Sequence, residues 1–199
     1  VTNFVRTCIE ILSSLPSVVV GLFGYLIFVV QFEYGFSIIS GALALTVFNL
    51  PQMTRNVEDS LRHVHHTQRE AGLALGISRW ETVLHVVIPE ALPGIVTGIV
   101  LASGRIFGEA AALIYTAGQS APALDWSNWN IFSITSPISI FRQAETLAVH
   151  IWKVNSEGTI PGGTEVSAGS AAVLLILILI FNFGARNLGP YLTTKLTPA

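Results

Sequence analysis

Two ionisable residues sit inside an otherwise apolar run, GRIFGEAAALIYTAG from Gly104, which places Arg105 and Glu109 four residues apart. On a helix that spacing puts both side chains on one face, where they form an ion pair. An arginine at the centre of a membrane-spanning helix costs about 2.5–3.5 kcal/mol on insertion scales. Such residues usually face a cavity or a partner and mark a path for a substrate. The guanidinium fork matches a tetrahedral oxyanion such as phosphate. The pair therefore reads as an anion site or gate, with Glu109 holding the fork or being displaced as the anion passes. The alternative is a buried pair that only fixes helix packing. Ser103 lies near Arg105 in sequence, and Gly104 and Gly108 would let another helix or a ligand approach the backbone.

No other constellation carries chemistry as clearly. The sequence holds no Gly-Lys pair, hence no Walker A loop, and neither HExxH nor GxSxG. His63, His65 and His66 form an HxHH cluster with no Cys or carboxylate at a familiar ligand spacing, which reads as a solvated loop face. No metal site or cofactor is expected. Cys8 is the single cysteine, so no intrachain disulfide is available. The net charge is -2 and no basic tract occurs, so no nucleic-acid partner is implied.

Positioning these residues requires a membrane. Of the 199 residues, 51% are hydrophobic and 11% charged. Soluble domains carry about 25% charged residues, so this chain is depleted about twofold. Four spans are predicted at 15–32, 36–53, 92–118 and 168–184, each long enough for the ~30 Å hydrocarbon core. Pro16 opens the first, and Pro51 marks a break or kink at the end of the second. Residues 1–14 have helical spacing, suiting an interfacial helix or the tail of an earlier one. Residues 54–91 form a polar loop. Residues 119–165 form a long connection whose Trp126, Trp129 and Trp152 favour the membrane boundary, with a short helix predicted over 138–151. The chain reads as one all-α membrane domain over residues 1–199. It begins with Val1, which suggests a fragment of a longer protein.

Lys and Arg set the orientation. Arg6, Arg55, Arg62, Arg69, Arg79, Arg186 and Lys195 lie on one side, Arg142 and Lys153 on the other. The positive-inside rule places the 54–91 loop in the cytoplasm and the 119–165 loop outside.

Within the cytoplasmic loop, residues 70–89 read EAGLALGISRWETVLHVVIP. A first helix ends near Leu75 at Gly76, a residue suited to a left-handed cap. A second starts at Ser78, with Glu81 three places on as a capping box, and halts before Pro89. Trp80 is either an anchor in a partner groove or a rest on the lipid interface. A helix–Gly–helix knuckle between two spans suits docking at the membrane surface.

This stretch resembles the EAA loop of ABC-importer permeases. Glu70, Ala71, Gly76 and Ile88-Pro89 fall at the matching places, with Gly72 where the second Ala is usual. Arg105, Gly108 and Glu109 resemble the Arg-x-x-Gly-Glu motif of the phosphate-importer permeases of the PstA and PstC type. Ala110 and Ala112 stand where Thr and Pro are typical there. The run from Leu15-Pro16-Ser17 to Gly21-Leu22-Phe23-Gly24 is similar to the same family, and the long outer loop and basic tail are more like PstA. The resemblance implies a type I, MetI-like permease fold, usually of six spans, so that N-terminal spans would be missing here. It implies a phosphate-importer permease subunit in a bacterial inner membrane. It also implies as partners a second, PstC-like permease, two PstB-like ATPase subunits and an extracytoplasmic, PstS-like phosphate-binding protein. ATP hydrolysis would fall to the ATPases, with Glu70, Ala71, Gly76, Trp80 and Pro89 as the coupling surface, and Arg105, Glu109 and Ser103 on the substrate path. Rival readings are a permease for phosphonate, sulfate or molybdate, and a membrane scaffold with a buried ion pair. An intramembrane enzyme using Glu109 with a histidine is disfavoured, because every histidine lies outside the spans.

Overall fold

The computed structural model describes residues 2–158 and 161–196, with side chains over 4–158 and 161–187. Lys195, counted above in the cytoplasmic tail, lies outside the described side chains. The described residues form nine α-helices and two π-helical segments. They are α1 (Thr2–Ser14), α2 (Ser17–Gly24), α3 (Ile38–His63), α4 (His66–Ala74), α5 (Arg79–Thr82), α6 (Ile88–Phe107), α7 (Ala111–Ile114), α8 (Leu147–Glu157) and α9 (Gly163–Leu196). A π-helical segment, Tyr25–Gln31, extends α2, and another, Val83–Val87, joins α5 to α6.

Among the described residues, two helical stretches are long and apolar enough to cross a membrane, Arg79–Phe107 and Gly163–Asn187. A third arises if Phe4–Ser14 and Ser17–Gln31, bent by 99° at their break, count as one span. Pro16 explains the bend: it is extended, with ψ 139°, and it bars Leu15 from continuing α1.

The four predicted spans are corrected in three places. The 36–53 stretch does not stand alone as a span. Ser40 and Thr46 interrupt its apolar run and Asn49, Pro51 and Gln52 follow, so α3 is not among the helices long and apolar enough to cross a membrane. Pro51 does not break the helix. It is fully buried inside α3, which continues to His63. Pro51 leaves the Val47 carbonyl without its helical donor, a single defect that a helix continued on both sides tolerates; the Thr46 hydroxyl and Asn49 amide bond separately to the carbonyls of Ala42 and Leu45 at 2.7 and 2.8 Å. The 92–118 span is also broken: α6 ends at Phe107, and Gly108 to Ala110 lie outside any helix.

The 54–91 loop is helical over most of its length. Its second helix does not halt before Pro89 but runs unbroken from Arg79 to Phe107. Pro89 cannot donate to the His85 carbonyl, and the wider turns of Val83–Val87 absorb that defect. In the outer connection the helix lies at Leu147–Glu157, not 138–151. Thr146 sets its start by accepting from the Val149 N–H at 3.3 Å, and Gly158 ends it with φ +60°.

The chain divides into two compact units, each with its own core. One comprises Val1–Pro51 with Arg105–Leu177, the other Gln52–Gly104 with Ile178–Ala199. The first is centred on Leu113, Ile114, Ala117 and Val149, the second on Val64, Val87 and Ala91. In the first, α2 packs on α7 and α3 on the turn after it, through residues without bulk. A Cβ on Gly21 would stand 2.8 Å from the Ala112 Cα in α7, and one on Gly41 2.9 Å from the Ala117 Cβ just beyond it. Carbonyls from the outer connection cap α3: the N–H groups of Ile38 and Ile39 donate to Arg142 and Ile140 at 2.9 Å each.

Because the atom facing Gly21 is backbone, the contact has no flexible end to yield. Gly21→Ala is expected to cost about 1–3 kcal/mol by overpacking and to lower the thermal midpoint of the detergent-solubilised protein. Gly184→Ala, where a Cβ meets nothing within 4 Å, is the control that leaves it unchanged.

Candidate functional site

The elbow from α3 to α5 is built by local hydrogen bonds. Arg69 reaches back to donate to the Leu61 carbonyl at 2.6 Å, serving one of the orphan acceptors at the end of α3. Gly76 has φ +79°, the left-handed geometry expected of it. The Ser78–Glu81 capping box forms in full, with the Glu81 N–H on Ser78 Oγ at 3.2 Å and the Ser78 N–H on Glu81 Oε2 at 2.9 Å. Glu70 is exposed and takes His66 Nδ1 at 3.0 Å. The other histidines do not converge with it. His63 Nδ1 donates to the Asp59 carbonyl at 2.6 Å, and His85 Nδ1 to Glu81 O at 3.1 Å.

Gly72, the departure from the resembled pattern, has a structural cause. A Cβ there would stand 2.9 Å from Thr82 Cγ2 and 3.2 Å from its Oγ1. Thr82 is buried, and its hydroxyl donates to the Ser78 carbonyl at 3.0 Å. Its β-branched side chain therefore occupies the space that an alanine at 72 would need. The elbow encloses a cavity of about 340 Å³ lined by Leu61, Arg69, Leu73, Thr82, Val83 and others. Its outer surface presents Leu75, 83% exposed, and Trp80, 68% exposed. Ala71 is exposed beside Glu70, whereas Pro89 is half-buried.

The predicted Arg105–Glu109 pair does not form among the described ion pairs. The spacing argument required an unbroken helix, and α6 ends between the two residues. Glu109 turns forward, its Oε1 accepting from the Ala112 N–H at 3.4 Å at the start of α7. Arg105 is exposed in the last turn of α6, with its guanidinium carbon 5.1 Å from the centroid of the buried Phe48 ring. That geometry is a cation–π contact, worth about 0.5–1 kcal/mol at an exposed arginine. Phe48 supplies no counter-charge to the guanidinium. The Ser103 hydroxyl donates to the Ile99 carbonyl of its own helix at 2.8 Å. Gly104 lies against α9 within the second unit, where a Cβ would stand 2.6 Å from Asn182 Oδ1. Gly108 faces only the Arg105 carbonyl, at 3.7 Å from such a Cβ.

Phe48, Thr82 and Asn182 were not singled out from sequence. Phe48 and Thr82 look like ordinary apolar and turn positions there. Asn182 did carry a signal, as a lone amide inside the most apolar run of the chain.

The family of binding-protein-dependent transport system inner membrane components matches residues 1–196. The probable ABC transporter permease protein YqgI of Bacillus subtilis is 59% identical over 197 residues, covering 99% of this chain and 67% of that protein. The phosphate transport system permease protein PstA of Xylella fastidiosa (strain 9a5c) is 37% identical over 185 residues, 92% of this chain and 59% of that one. PstA 2 of Mycobacterium tuberculosis is 32% identical over 186 residues, 92% of this chain and 57% of the relative. The chain thus spans under three-fifths of the length of these PstA relatives. Among solved structures, an inward-facing MetNI methionine ABC transporter superposes with a TM-score of 0.66 at 19% identity, covering 98% of this chain and 76% of that chain. At that identity the likeness establishes the fold.

Gly72→Ala restores the usual second alanine of the loop pattern, yet it is expected to destabilise the elbow by about 1–3 kcal/mol through the clash with Thr82. Adding Thr82→Ala should recover most of that loss. Hydrogen exchange over residues 66–87 reads both. Equal protection in Gly72→Ala and wild type would mean that the elbow is not packed through this contact.

Proposed function

We propose, from the premise that this chain belongs to the family of binding-protein-dependent transport system inner membrane components, that it carries inorganic phosphate as the permease of an ATP-driven importer. The chain is a multi-pass cell-membrane protein with the MetI-like permease fold. The observation that carries the substrate assignment is Arg105, a guanidinium within an apolar helix, stacked on Phe48 and not neutralised by Glu109. A cation–π contact at an exposed arginine is worth about 0.5–1 kcal/mol, a fraction of the roughly 2.5–3.5 kcal/mol that an arginine costs inside a span. The balance favours an anion that comes to the guanidinium. A phosphate oxyanion accepts such a fork in two parallel bonds. The identity with PstA proteins over 92% of the chain supports the same choice.

In this reading the permease pairs with a second, PstC-like permease. Two PstB-like ATPases dock on the 70–89 elbow through Glu70, Ala71, Gly76, Trp80 and the Pro89 end, and a PstS-like binding protein delivers phosphate from outside. ATP is hydrolysed by the separate ATPase subunits. The helix from Arg79 to Phe107 is continuous, so a push on the elbow reaches the turn that carries Arg105. Arg105 contacts the anion, while Glu109 anchors the start of α7 and Ser103 stays bonded to its own helix.

Phosphate uptake is measured in cells whose only phosphate importer contains this chain, after each variant is shown to assemble with its ATPase. Arg105→Ala is expected to reduce uptake at least tenfold, and Arg105→Lys to recover part of it, because charge is kept and the planar fork lost. Phe48→Leu should raise the apparent KM, with no further effect when Arg105 is already Ala. Normal uptake by assembled Arg105→Ala would remove the residue from the phosphate path. On the coupling side, Gly76→Val, strained at φ +79°, should lower uptake with loss of ATPase association, and unchanged association would refute the docking role.

A further inference from the structure

The segment between Asp125 and Arg142 has no part in the elbow or in the Arg105 site. Its sixteen residues, WSNWNIFSITSPISIF, contain no charge, where an average soluble sequence would hold about four. Its large side chains nonetheless point outward. Trp126 is 69% exposed, Trp129 61% and Phe132 78%, and Ile131, Ile134, Ile138 and Ile140 are exposed as well. An apolar patch this continuous marks an interaction surface.

Two observations identify what covers it. First, the segment is free of charge and ties part of its own backbone by local hydrogen bonds. Asp125 Oδ1 accepts from the N–H and hydroxyl of Ser127 at 3.0 and 2.6 Å, Asn128 Oδ1 from the Asn130 N–H at 3.1 Å, and Asn130 Oδ1 from the Phe132 N–H at 3.1 Å. The Asp125 N–H closes the loop on the Thr135 carbonyl at 2.8 Å. These bonds reduce the number of backbone groups that would lose water where the segment meets an apolar layer.

Second, the apolar surface is continuous with that of the apolar helix Ser17–Gln31. Aromatic rings follow one another from Phe28 to Phe32 (6.1 Å), Tyr34 (5.7 Å), Phe141 (6.2 Å) and Phe132 (5.9 Å). Phe28 belongs to the π-helical extension of α2, whose Leu26, Ile27 and Val30 are exposed. The string therefore leads from the side of this apolar helix onto residues 126–141. Tryptophans beside asparagines and serines suit the headgroup level, with the ring in the apolar layer and its N–H at the wet edge.

We infer that residues 126–141 form an interfacial wedge that inserts Trp126, Trp129 and Phe132 into the outer leaflet of the membrane. The inference does not depend on the identity of the substrate.

The test uses the assembled transporter in phosphatidylcholine–phosphatidylglycerol vesicles. Partner subunits are made free of cysteine, and this chain carries Cys8→Ser with a single nitroxide at Phe132→Cys. A second preparation carries the label at Ile134→Cys, in case the first fails to assemble. A label at Leu175→Cys, exposed on α9, gives the lipid reference. Collision with oxygen is expected to exceed collision with a water-soluble nickel chelate at 132 and 134, as at 175. Greater collision with the chelate would place the segment in water and overturn the inference. A label shielded from both reagents would mean that a protein surface covers the segment, which overturns it equally.

Discussion

Hydrocarbon offers no hydrogen bonds, so every interruption of this chain's helices has to be repaired from within the chain. Several joints show how this is managed. Pro51 is carried inside α3, which continues on both sides of it. Pro89 is absorbed by a stretch of wider helical turns. Where α6 stops at Phe107, the Glu109 carboxylate takes up one orphan donor of α7, the Ala112 N–H. The N-terminus of α3 is closed by carbonyls from the far side of the sequence. Residues that sequence reading treats as breakers therefore become joints inside longer helices.

That constraint also reshapes the chemistry. A carboxylate needed to satisfy a helix start is no longer free to neutralise an arginine four residues back. Arg105 is left with an aromatic face as its neighbour. Such a contact supplies no counter-charge. Under the proposed function, an arginine held this way can meet a transient anion without an ion pair having to open first.

At the elbow, the governing feature is close approach. Gly72 and Thr82 occupy one another's space, and Arg69 ties α4 back to the end of α3. With Gly76 and the capping box fixing the turn, the elbow leads directly into the continuous helix from Arg79 to Phe107. Under the proposed function, that helix links the ATPase contact to the anion contact through backbone hydrogen bonds alone.

The sequence by itself determined much of this protein. Its depletion in charge and its apolar runs specified an all-helical membrane chain. Ser78 with Glu81 and the glycine at 76 specified the elbow, because caps and left-handed turns depend on residues only a few positions apart. The resemblance drawn from the EAA-like loop and the Arg-x-x-Gly-Glu motif is borne out by the family match and the PstA relatives. Only the tertiary structure decided that Pro51 and Pro89 lie within helices, that the third span stops at Phe107, and that the second stretch is not a span in its own right. It also decided that Arg105 meets Phe48 and not Glu109, and that Gly72 is required by Thr82. Each of these turns on partners that local sequence does not name: a ring 57 residues away, a threonine across a turn, or the groups that must serve a broken backbone where water is absent.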